Sequence, residues 1–212
     1  MRGLVLDQVT LSVAGRALLG PLEVTVPPGG RATIMGPSGC GKSSLLAFIA
    51  GTLDPAFTAT GGVRIDGEAI LALPPERRRA GILFQDDLLF PHLSVGDNLA
   101  FALPPSMRER ATRRAAVAQA LAEADLAGLE ARDPATLSGG QRARVAVMRT
   151  LLAAPRVLLL DEPFNKLDAQ LRQDFRRFVF DHARERALPV LLVTHDAADA
   201  DAAGGPIVML GA

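Results

Sequence analysis

The sequence predicts an α/β protein: a mostly parallel β-sheet flanked by helices, with an antiparallel β part at the N-terminus and an inserted helical subdomain. Three observations predict it. Residues 157–160 and 190–193 are continuous apolar runs, the pattern of central parallel strands buried on both faces. The charged amphipathic stretch 169–186 lies between them, so strand, helix and strand alternate. Over residues 94–130 the texture changes to Ala, Arg, Glu and Leu, with Val117, Leu121 and Leu126 at helical spacing.

The elements follow in order. At the start, Leu4, Leu6, Val9, Leu11 and Val13 alternate with more polar residues, as in a half-buried strand. Pro27-Pro28-Gly29-Gly30 is a turn. Residues 32–35 form a short apolar strand, and residues 44–50 read as a helix after a glycine-rich stretch. Residues 63–65 and 81–84 are further strand candidates. Residues 142–153 are helical, and residues 207–210 close the chain as a short strand. Residues 1–212 therefore read as a single domain, with the helical subdomain at about 88–140. There is no internal repeat and no low-complexity linker.

Composition narrows the function. A chain of 212 residues with 49% hydrophobic and 22% charged residues can bury one substantial core. Lys+Arg and Asp+Glu are both 23, whereas a nucleic-acid partner calls for a positive excess, so none is expected. The basic runs 77–79 and 108–114 interleave with Glu76 and Glu109 and read as solvated faces. Cys40 is the only cysteine, which rules out a disulfide framework and fits a reducing compartment. The N-terminus lacks the apolar core of a signal peptide, and no apolar run approaches the ~18 residues of a membrane span.

The chemistry is concentrated in short motifs. Residues 36–44 read GPSGCGKSS, a phosphate-binding loop between an apolar strand and a helix. Along Gly36, Pro37, Ser38, Gly39, Cys40 and Gly41, the glycines let successive backbone N–H groups turn toward one anion. Lys42 is placed to reach the β- and γ-phosphates, and the Ser43 hydroxyl, followed by Ser44, to ligate Mg²⁺. Cys40 reads as a tolerated residue at a variable position of the loop, with a redox switch as the alternative. In VLLLDEP, Asp161 stands at the carboxyl end of a buried strand, where it would meet Mg²⁺. Glu162 follows it and could polarise a water for in-line attack. His195 ends another core strand and could donate to a γ-phosphate oxygen, whereas His92 and His182 read as structural. Gln85 ends an apolar run and could touch metal or water. Finally, in TLSGGQRAR, Ser138 can cap a helix, with Gln141 completing a capping box. Gly139 and Gly140 leave the backbone open there, so a helix N-terminus faces a second phosphate in a chain that has already built one phosphate cradle.

These motifs, with FQDDLLF and the aspartate of NKLD, stand in the order seen in ATP-binding-cassette (ABC) ATPases. The chain resembles that family from about residue 3 to 210, and most resembles the importer-type subunits near the thiamine, sulfate and spermidine importer ATPases. The resemblance implies a P-loop NTPase core that binds ATP and Mg²⁺ and hydrolyses ATP. It implies a head-to-tail homodimer in which Ser138, Gly139, Gly140 and Gln141 bind the partner's ATP and Asp168 crosses the interface. In the same terms Gly36 to Ser43 bind phosphates, Asp161, Ser43 and Gln85 attend the metal, Glu162 is the general base and His195 senses the γ-phosphate. It further implies integral permease subunits, a solute-binding protein, and a cytoplasmic location on the inner membrane face through the permease. Phe90, Pro91, His92 and Leu93 resemble the groove for a permease helix, or form plain subdomain core. A DNA-repair or translation-type member of the family would carry a coiled-coil insertion or a second cassette, and neither is present.

Three departures stand out. Val13 occupies the position where the family stacks an aromatic on adenine, and the chain has no Trp or Tyr. Weaker nucleotide affinity or weaker adenine preference is the expectation. Asn165 replaces the usual serine of the D-loop, a change that hydrolysis should survive. The chain ends soon after Leu210, so the C-terminal regulatory domain of some importer ATPases is expected to be absent.

Overall fold

A computed structural model describes residues 2–211; residues 1 and 212 of the expected single domain lie outside them. Its centre is a parallel sheet built from β3 (Arg31–Met35), β6 (Ala80–Leu83), β7 (Val157–Asp161), β8 (Val190–Thr194) and β9 (Ile207–Met209). The strand order is β6-β7-β8-β3-β9. An antiparallel sheet is formed by β1 (Leu4–Val13), β2 (Arg16–Val26), β4 (Phe57–Ile65) and β5 (Glu68–Ala69), in the order β2-β1-β4-β5.

The apolar runs behave as their composition demands. In β7, Leu158 and Leu160 enter one core while Val157 and Leu159 enter the other. In β8, Val190 and Leu192 part in the same way from Leu191 and Val193. Side chains alternate along a strand, so a strand covered on both faces needs apolar residues at every position. The core on one face joins β1, β2 and β4 with helix α1 (Lys42–Ala50) through Leu45, Leu46 and Ile49. The core on the other face joins α3 (Val95–Ala102), α4 (Arg110–Glu123), α5 (Gly139–Leu152) and α6 (Ala169–Glu185), and Phe164 lies fully buried in it.

Register then sets the function. Met35 pairs with Thr194, Asp161 with Val193, and Leu83 with Leu160. Four neighbouring strands thus end together, and the residues that leave them lie along one carboxyl edge, where open α/β sheets bind their ligands.

Several elements differ from the sequence expectation, among them the two-residue β5 and the short helix α2 (Pro75–Arg78), which were not predicted. Strand β2 was not predicted, because Gly20-Pro21 interrupts its alternation. The seven-residue helix α7 (Ala197–Ala203) has no apolar periodicity to announce it. Strand β4 begins at Phe57 rather than at residue 63. Gly61 and Gly62 sit inside the strand at an irregularity, where pairing with β1 slips between Asp7 and Thr10. Gly61 has φ +96°, and a Cβ there would lie 2.5 Å from the Gln8 carbonyl oxygen, so only glycine fits.

Leu159 is fully buried inside this sheet. Leu159→Ala should cost about 2–5 kcal/mol, the usual range for a large buried aliphatic. Urea denaturation should show a lower midpoint at an unchanged m-value.

Candidate functional site

The glycine-rich loop leaves β3 and enters α1 through Gly41, whose φ of +93° places it in the left-handed region. Gly39 does the same with φ +83°. At Gly36 a Cβ would come within 2.8 Å of Cys40 Sγ and 2.9 Å of the Leu210 carbonyl oxygen, so the loop closes on itself only with glycine there. Lys42 is 5% exposed, and its Nζ donates to the carbonyls of Gly36 at 2.7 Å and Pro37 at 2.9 Å. The ammonium is therefore held inside the curve of the loop, at the N-terminus of a helix whose partial positive charge also favours an anion.

Asp161 ends β7 beside this loop, and Ser43 Oγ donates to its Oδ1 at 2.9 Å. Burial pushes the Asp161 carboxyl above its usual range and Glu162 adds to this, while the Ser43 hydrogen bond and Lys42 oppose it. The donor set suits Mg²⁺: a hydroxyl and a carboxylate oxygen side by side, leaving other positions to phosphate and water. Among the described residues there is no cluster of His, Cys, Asp and Glu that would hold a metal without phosphate.

Glu162 turns out of the strand with φ +47°, a strained conformation for a non-glycine residue. Its N–H donates to the Val193 carbonyl at 3.0 Å, which ties the turn to β8. Both carboxylate oxygens are engaged. His195 Nδ1 lies 3.1 Å from Oε1, and Asn165 Nδ2 donates to Oε2 at 2.5 Å. Lys42 Nζ stands 3.7 Å from Oε1. The replacement of serine by Asn165 thus has a local use, which the sequence did not reveal: its amide holds the acid. His195 is held in turn by its neighbours. Arg172 of α6 pairs with Asp196 at 2.9 Å, while Arg176 and the Thr194 hydroxyl bond the fully buried Asp199.

Val13, Leu18, Ser38, Gly39, Gly41, Lys42, Ser43, Ser44, Phe57, Gln85, Asp161 and Glu162 line a single cleft of about 530 Å³. Gly36, Pro37 and Cys40 complete the loop behind it, and His195 joins through Glu162. Phe57 had no signal in the sequence, because its strand was expected to start later. Ser138, Gly139, Gly140, Gln141 and Asp168 do not line this cleft.

The Ser138 segment is nevertheless built as its spacing predicts. Ser138 Oγ accepts from the Gln141 N–H at 3.3 Å, and Gln141 Oε1 accepts from the Ser138 N–H at 2.9 Å. The two glycines differ. Gly139 is exposed with open space around it, whereas a Cβ on the buried Gly140 would strike Leu171 at 2.7 Å. Only Gly139 leaves the backbone open to a visitor; Gly140 lets α5 approach α6. Asp168 caps α6, accepting from the Leu171 N–H at 3.0 Å. From α5, Arg142 pairs with Asp87 at 2.9 Å, and Arg149 donates to the Leu88 carbonyl at 2.9 Å, so the segment after Gln85 hangs on the helix that Ser138 caps. Lys166 adds an ion pair to Asp86.

Comparison with known proteins agrees with this geometry. Residues 19–165 match the family described as ABC transporter. The chain is 49% identical over 199 residues to the uncharacterized ABC transporter ATP-binding protein YnjD of Escherichia coli K12, covering 94% of this chain and 91% of that protein. It is 37% identical over 207 residues to the Fe(3+) ions import ATP-binding protein FbpC 1 of Haemophilus influenzae, covering 98% of this chain but 62% of that longer protein. Among solved structures, the dimeric post-hydrolysis state of the ATP-binding cassette MJ0796 bound to ADP and Pi superposes with a TM-score of 0.80 at 29% identity, covering 98% of this chain and 94% of that one. With a family match over most of its length and relatives of this identity, the chain belongs to the ABC transporter family as an ATP-hydrolysing member.

Proposed function

We propose that the chain powers an importer as one of two identical subunits stacked head to tail, each completing the other's ATP site. One observation carries the pairing: the open, capped N-terminus of α5 at Ser138 and Gly139 lies outside the cleft of its own chain. A helix end of this kind binds anions, and here a second copy would supply the phosphate. The MJ0796 cassette, likewise dimeric, supports the reading.

In each cleft the Gly36–Ser43 loop holds the triphosphate of ATP, with Lys42 on the β- and γ-phosphates. Ser43 and Asp161, with Gln85 across the cleft, would hold Mg²⁺, which when bound neutralises phosphate charge. Glu162 takes a proton from water as the water oxygen attacks the γ-phosphorus, and the bond to the ADP oxygen breaks. His195, with Nδ1 toward Glu162, keeps Nε2 free for a γ-phosphate oxygen. Asn165 holds the acid in place. Most of the catalysis is positioning and charge stabilisation. From the partner, Ser138, Gly139 and Gln141 close over the γ-phosphate and Asp168 meets the interface.

Import is supported by the iron-import relative. We assign the docking of a permease helix to the helical region, residues 88–140, which exposes Leu88 and Phe101 and follows the exposed Phe84. Arg149 stacks over Phe90 at 5.2 Å there, linking that surface to α5. No helix among the described residues is long and apolar enough to cross a membrane, so the permease would supply the span and hold the subunit at the inner membrane face. A solute-binding protein would deliver the cargo outside.

Glu162→Gln should lower ATPase turnover by about 10²–10⁴-fold, the usual contribution of a general base. On a sizing column it should shift from monomer to dimer only with Mg-ATP. A monomer at saturating ATP would sink the proposed pairing. Asp161→Asn removes a carboxylate that burial disfavours in its charged form. Because the folded pKa is raised, its charge costs stability at pH values above that pKa, and the cost disappears once the carboxyl is protonated in both states. The Asn variant without nucleotide should therefore melt higher than wild type at pH 7, lose that advantage as pH falls through the carboxylate range, and bind Mg-ATP poorly.

A further inference from the structure

We propose that Phe57, on β4, is the platform on which the adenine base stacks, replacing the aromatic that Val13 lacks on β1. The inference rests on the reading of the cleft as a nucleotide site. It begins from register: Val13 and Phe57 are direct Cα partners in the antiparallel pairing of β1 with β4. Directly opposed residues point to the same face of a sheet, with Cβ atoms about 4.5–5.5 Å apart. An aromatic missing from one strand is therefore supplied from the next, a few ångströms away and on the same side.

The surroundings agree. Leu11 pairs with Ala59, and both belong to the core beneath α1, so this face of the sheet is the one turned toward the phosphate loop. A Cβ on Gly41 would stand 3.5 Å from Leu18 Cβ, so the sheet and the loop meet at the mouth of α1. Phe57 is the only aromatic among the residues lining the cleft, and it is half-buried, leaving part of its surface open. The irregularity at Gly61 makes this arrangement possible, because the slipped pairing between Asp7 and Thr10 sets which residue of β4 meets Val13. Trp and Tyr are absent, Phe48 packs against the core beneath α1, and the exposed Phe84 follows β6 and does not line this cleft.

A phenyl ring reads the π-face of a base and not its hydrogen-bonding edge, so stacking here favours any purine over a bare triphosphate and separates ATP from GTP only weakly.

The absence of Trp and Tyr gives a direct test, because F57W places the only strong fluorophore of the chain at the proposed platform. Titration of F57W with ATP or GTP should quench or shift its emission, while inorganic tripolyphosphate should bind without doing so. In F57A, calorimetry should give an ATP Kd about five- to tenfold weaker than wild type, with the tripolyphosphate Kd unchanged and circular dichroism confirming the fold. Three results would overturn the proposal: F57A binding ATP as tightly as wild type, ATP and tripolyphosphate weakening equally in F57A, or an F57W emission that ATP leaves unchanged. In each of these the cleft still binds nucleotide, and K42A still abolishes it. If wild type binds no ATP at all, the nucleotide reading falls and the platform with it.

Discussion

Everything in the site depends on the shared end of four parallel strands. Because β3, β6, β7 and β8 are paired in register and stop together, residues far apart in sequence emerge on one edge. That register is fixed because β7 and β8 are buried on both faces. A one-residue slip would exchange the side chains of the two cores, and a strand whose every position is packed resists this. The sheet needs no polar specificity of its own. It supplies a rigid edge, and the loops that leave it carry the chemistry.

The edge is also where the molecule departs from comfortable geometry. Glu162 occupies the left-handed region, Asp161 is a carboxylate taken partly out of water, and Lys42 is almost wholly buried. Each would be unfavourable in isolation. Here they offset one another: Ser43 donates to Asp161, Lys42 satisfies the loop carbonyls, and Asn165 and His195 engage Glu162. The arginines of α6 brace the exit from β8 that carries the histidine. A site assembled this way is pre-organised before substrate arrives, at the expense of stability that a passive protein would keep.

Much of this was legible in the sequence because the underlying physics is local. A phosphate loop is one strand, one turn and one helix start. A capping box needs only Ser138 and Gln141 in the same turn. Buried strands announce themselves by composition. The unread features depend on contacts between distant segments. No local pattern places Phe57 beside Val13, because the irregularity at the glycines of β4 exists only once β1 is laid against them. The difference between Gly139 and Gly140 depends on Leu171 of another helix. The Asn165 contact spans few residues, yet it depends on the backbone angle at Glu162, which no sequence rule gives.

The two halves of the site are joined by α5. Its N-terminus carries the capped segment that, in the proposed pairing, would meet a second nucleotide, and its body grips the stretch after Gln85 through Arg142 and Arg149. Gln85 itself lines the cleft of its own chain. A displacement of Ser138 toward a partner's phosphate would therefore pull on the segment that follows Gln85, and through Phe90 on the exposed surface beside it. Coupling of this kind needs a rigid lever with contacts at both ends, and a well-packed helix of 14 residues is one. Gly140 matters for the same reason: by letting α5 sit tightly on α6, it joins the lever to the helix whose arginines hold the histidine loop. The lever, the histidine and the acid would then move as parts of one packed unit.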